Sequence, residues 1–113
     1  MRYLVIYRPE AGEEGGQPDP AHMAAMGKLV DEMTRAGSLI ATEPLAARSH
    51  GGRVRRHGNE FTVADKGERA AGYAFLNANS RDEALELCKS FLQIAGDGVT
   101  ELRQVIEFAP PQA

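Results

Sequence analysis

A chain of 113 residues is one domain's worth. It is long enough to bury roughly 65% of the surface its unfolded form exposes, but leaves little for a deep internal pocket, so a sizeable cleft calls for a second copy. The net charge of −3 argues against capture of nucleic acid, which needs a basic footprint. No apolar run approaches the ~20 residues of a membrane span. The opening MRYLVIYR lacks the pattern of a secretory leader. The single cysteine, Cys88, cannot form an internal disulfide, and a reducing cytoplasm is the expected compartment.

Residues 2 to 7, RYLVIY, read as a strand that is apolar on both faces, with Tyr3, Val5 and Tyr7 on one side and Leu4 and Ile6 on the other. Residues 9 to 18, PEAGEEGGQP, are loop by composition. Asp19 suits an N-cap and Pro20 the first helical position, so a helix is predicted from there to about Ala36, stopping at Gly37. Met23, Met26, Val30 and Met33, with Leu29 beside them, make a stripe at helical spacing that core packing explains.

Residues 38 to 42, SLIAT, predict a second strand. RVRRH (53 to 57) and EFTVA (60 to 64) flank Gly58-Asn59, which suits a two-residue hairpin turn at positive φ. GYAFLNA (72 to 78) is a further strand, again apolar on both faces. Ser80 and Glu83 form a capping box for a second helix whose inner face carries Ala84, Leu87, Cys88 and Phe91. After Gly96-Asp97-Gly98, a last strand is predicted over 99 to 108, with Leu102, Ile106 and Phe108 under the helices and Glu101, Arg103, Val105 and Glu107 on the other side.

This order favours an α+β fold with both helices on one face of a mostly antiparallel sheet. The ferredoxin-like split βαβ arrangement with an extra β-hairpin fits it best. Two strands apolar on both faces leave the second sheet face needing cover, and a homodimer supplies it.

Several stretches converge on one family. MRYLVIY, AAMGKLVDEMTRAGSLIATEPL, RVRRHGNEFTVAD, AGYAFL with SRDEALEL, and GVTELRQV resemble, in order and spacing, the YCII-related proteins and in particular their DGPF branch. The resemblance implies a dimeric α+β barrel, two ferredoxin-like chains packed sheet against sheet. It also implies a polar cleft with enzymatic use, at least one wider relative resembling an enzyme of chlorinated-aromatic breakdown. Genes of many DGPF relatives lie near alternative sigma factors, which implies a regulatory role instead. The branch's Gly-Pro-Phe is missing: Asp65, which matches the motif's Asp, is followed by Lys66, Gly67, Glu68 and Arg69, about five positions short, and Glu68 matches the motif's later Glu.

The candidate catalytic groups are His22 and Asp65. His22 lies in the first turn of the first helix, where the resemblance also places a histidine, and a neutral imidazole can serve as general base. Asp65 could orient it, as carboxylates orient imidazoles elsewhere, or could simply turn the chain. Candidate ligand-binding residues are Arg103, Glu101, Glu68 and Tyr73: Arg103 could hold an anion by a forked contact, or pair with Glu101 on the same strand face.

Tyr73 suits packing as well as binding. Arg53, Arg55, Arg56 and His57 make a basic hairpin that reads as a solvated face, since no aromatics interleave as in nucleic-acid sites. The histidines at 22, 50 and 57 lack ligand spacing, so no metal is expected. Without a phosphate-binding glycine loop, no cofactor is expected. Two functions remain open: a small homodimeric acid–base enzyme, of lyase or isomerase type, on a small polar or aromatic molecule, and a non-catalytic ligand- or protein-binding module. Neither contacts nucleic acid or membrane.

Overall fold

A computed structural model describes residues 1–10 and 20–108. Strand β1 runs Arg2–Pro9, helix α1 Pro20–Arg35 and strand β2 Leu39–Pro44. A short 3-10 turn at Arg48–His50, which composition does not announce, leads into strands β3 (Arg53–His57) and β4 (Glu60–Ala64). Strand β5 (Gly72–Asn77), helix α2 (Arg81–Ala95) and strand β6 (Gly98–Gln104) complete the order. The expected loop over 9 to 18 and the Asp19 cap lie largely outside the described residues.

Four strands form one sheet in the order β2-β5-β1-β6, and β3 with β4 form a separate two-stranded sheet. Every pairing is antiparallel. The two β-α-β units therefore interleave: β5 lies between β1 and β2, and β1 lies between β5 and β6. The chain is an α+β protein, as its element order predicts.

Strand β1 is central because both its faces are apolar. Tyr3 and Val5 are buried with Leu76 and Ala78 from β5 and its end, and with Ala84 and Cys88 from α2. Met33, Leu39, Leu87 and Leu102 pack around this cluster, which places both helices on one sheet face. Tyr7 continues the same side, its ring edge-on to Phe91 at 5.1 Å. Burying a side chain such as Val5 or Leu76 contributes roughly 1.5–3 kcal/mol.

Helix α2 begins as expected, with the Glu83 N–H donating to Ser80 Oγ at 3.1 Å. The return arm of the capping box differs: Glu83 Oε2 accepts from the Asn79 N–H at 3.4 Å, one residue before the cap. Helix α1 starts at Pro20 and closes when Ser38 N–H bonds to Met33 O at 2.9 Å. Its stripe is shallower than its spacing predicts. No residue of α1 is fully buried, and Met23 is exposed. Met33, a turn from the helix end, reaches the core, whereas Met23 sits in the first turn beyond it.

Two glycines are required by geometry. Gly58 opens the hairpin turn at φ +57, and among the described residues no non-glycine takes positive φ, so Asn59 does not share that conformation. A glycine-first turn of this kind matches the twist of the flanking strands. A Cβ on Gly98 would lie 2.7 Å from Arg8 O and 2.8 Å from Tyr7 Cε1, so the β1–β6 ladder starts only with glycine there.

Two strand expectations need correction. Strand β2 extends to Pro44 and carries an irregularity between Leu39 and Ala41, leaving Ile40 outside the ladder. Strand β6 ends at Gln104, not 108, and Ile106 and Phe108 are exposed instead of lying under the helices. The reason is the partner. Gln104 pairs with Tyr3, and β1 begins at Arg2, so residues beyond Val105, whose N–H still reaches Arg2 O, have no strand to join.

Candidate functional site

The topology gathers several chemically active residues at one end of the main sheet. β1 and β2 end there, β5 begins there, and α1 starts there. The backbone ties this end together: Ala71 N–H donates to Tyr7 O at 2.8 Å and Leu45 N–H to Ala71 O at 2.9 Å. Gly67 N–H donates to Arg48 O at 3.0 Å, joining the two feet of the hairpin.

His22, in the first turn of α1, is half-buried at this end, and neither it nor Arg48 nor Arg69 lacks a partner. Asp65 follows β4 in a bend and is exposed. No hydrogen bond or ion pair joins His22 to Asp65 among the described residues. Glu68 is also exposed and is engaged elsewhere, its Oε1 lying 3.2 Å from Arg53 Nη2 at the hairpin base. Arg69, next in sequence, is half-buried. The charge of that arginine was legible in the sequence, but its burial was not, because it depends on how residues 65 to 71 fold back over the sheet end.

Arg103, Glu101 and Tyr73 lie apart from this group, on the sheet face away from the helices. Register sets the rows on that face. Ile6 is flanked by Tyr73 and Glu101, with Glu43 beyond Tyr73. Leu4 is flanked by Phe75 and Arg103, with Ala41 beyond Phe75. The face therefore has an apolar middle, Leu4, Ile6 and Phe75, with charges at its margins.

Glu101 sits between two guanidinium groups, 3.1 Å from Arg8 and 3.7 Å from Arg103. Exposed pairs of this type contribute about 0–1 kcal/mol. At the opposite margin the Tyr73 hydroxyl donates to Glu43 Oε1 at 2.7 Å. That bond, followed by partial burial and the Glu43 charge, holds the phenol's pKa above its ordinary value of 10.0. Sequence reasoning missed Glu43 and Arg8. The Glu43-Pro44 following SLIAT carried the signal for Glu43, but only the pairing of β2 with β5 puts it beside Tyr73.

A cavity of about 420 Å³ is lined by Met1, Arg2, Gln104, Val105, Ile106 and Glu107. It lies at the other end of the sheet from His22 and is bridged by the Arg2–Glu107 ion pair at 2.8 Å. Among the described residues no group of His, Cys, Asp and Glu is placed to hold a metal ion. Cys88 is buried; its surroundings push the thiol's pKa up, and a hydrogen bond with Thr100 opposes part of that shift. It packs against the sheet and is not a ready nucleophile. No described helix is long and apolar enough to cross a membrane.

The model of the YCII-related domain family matches residues 1–109. A search of curated proteins finds no match.

Proposed function

Because the chain belongs to the YCII-related domain family, we propose that it works as a homodimer of ferredoxin-like chains, packed sheet against sheet as an α+β barrel, and performs acid–base chemistry on a small polar or aromatic molecule. The reaction is of lyase or isomerase type: a proton leaves a carbon of the substrate for the His22 imidazole and returns to the product or its leaving group. Such a step uses no cofactor. Asp65 acts as a positioning residue for His22. Arg103 and Glu101 serve the dimer face. Within the family, this reading assigns the chain to the DGPF branch on the resemblance of TVAD, 62 to 65, and to the cytoplasm.

What supports this reading is that residues 65 to 71 are tied to the end of β1 and to the hairpin base by the Ala71–Tyr7 and Gly67–Arg48 bonds, at the sheet end from which the chain passes from β1 to α1 and His22. The test is proton exchange in D₂O, followed by NMR, on a panel of small carboxylates and phenols. Wild type should wash deuterium into at least one compound, and His22→Ala should slow this by about 10²–10⁴-fold with its melting temperature kept. Exchange unaffected by His22→Ala would remove His22 from the mechanism.

A second reading is a non-catalytic ligand- or protein-binding module, linked to transcription regulation. The exposure of Asp65 and the engagement of Glu68 with Arg53 favour it. A compound that raises the melting temperature without any exchange would support it over the enzyme.

A further inference from the structure

The β3–β4 hairpin holds a full five-pair register, yet all ten of its strand residues are exposed. A two-stranded hairpin is marginal in water unless a further layer covers it. Its two sides differ. Arg53, Arg55 and His57 share one side with Glu60 and Thr62, while Val54 pairs with Val63 and Arg56 with Phe61 on the other. On that second side Val54, Phe61 and Val63 are 70%, 69% and 68% exposed. The hairpin is a sheet of its own, its strands pairing with none of the four in the main sheet, and the Cα radius of gyration of 16.5 Å exceeds the value of about 13 Å for a compact domain of this length.

We infer that this hairpin is an arm that docks, through its Val54–Phe61–Val63 side, onto a second copy of the same chain. The inference rests on the homodimer in the reading above. Charge favours a second copy as the occupant. Three arginines against one glutamate give residues 53 to 64 two net positive charges, so the rest of a chain of net −3 carries five negative ones. Each copy thus offers a basic arm and an acidic body. Size favours it too. The open sheet face alone supplies few side chains against the roughly 20–30 residues a side of a stable interface, and the arm adds Val54, Arg56, Phe61 and Val63 to them.

The test is amide hydrogen exchange of the full chain across a dilution series, with mass followed by light scattering. In the dimer, the ladder amides of residues 53 to 64 should exchange at least about 100-fold more slowly than in the diluted monomer. Phe61→Ser with Val63→Thr should shift the dimer–monomer midpoint upward by about tenfold or more. Fast hairpin exchange in an intact dimer would overturn the arm and leave the sheet-face dimer standing. Protection independent of dilution would give the apolar side to its own chain and overturn it as well, and protection gained only with anionic lipid vesicles would give it to a membrane. A single-chain mass at every concentration would overturn both the arm and the homodimer.

Discussion

On the open sheet face the Tyr73 phenol and the Glu43 carboxylate share one short hydrogen bond, and that bond has a pH signature. The fold favours the neutral phenol, so the native state holds the proton more tightly than the unfolded chain. The stability this gives is complete below the ordinary value of 10.0 and is lost as pH rises through the higher folded value. Subtracting the ultraviolet titration of Tyr73→Phe from that of wild type isolates this phenol. The same subtraction in a Glu43→Gln background should move to lower pH, because an amide brings no charge and a weaker acceptor. An unmoved curve would mean that burial, not Glu43, sets the shift. Cys88 follows the same sign: burial favours its neutral thiol, so its contribution is present below about pH 9 and lost above the raised folded value.

The elements show which features local sequence decides. Ser80 was readable as a cap because its partner, Glu83, is three residues away, and the structure makes that bond. Ser80→Ala should destabilise the fold by about 1 kcal/mol, read as a lower midpoint in urea with an unchanged slope, and Ser80→Asp should restore most of it. The hairpin's limits were equally legible, since Gly58-Asn59 fixes them from within. The end of β6 was not. VIEF continues the alternation that a strand requires, but strand pairing stops where β1 starts, a hundred residues earlier in the chain. The site divides in the same way. Pro20 places His22 in the first turn of α1 from sequence alone. Which residues face it, and the separation of Arg103 from it by the sheet, depend on strand order and not on any local pattern.

At the scale of the molecule, the fully buried apolar core is small: six of the described residues, none of them a large side chain with less than 2% exposure. A single chain of this size has a limited stability margin, and burial of the open face in a dimer would add to it by mass action. The melting temperature should therefore rise across about two decades of protein concentration, as followed by calorimetry, and a melting temperature that does not move would argue against the homodimer. The central place of β1 also dictates the timing of assembly. It is made before both of its partners, β5 and β6, and is separated from them by α1, β2 and the hairpin. A ribosome-bound chain can form α1 early, but its most apolar strand stays without either neighbour until β5 and β6 have emerged. Productive folding is then dominated by distant contacts, the slow class of topology. Until that moment RYLVIY is an exposed adhesive strand, which any chaperone acting on this nascent chain must shield.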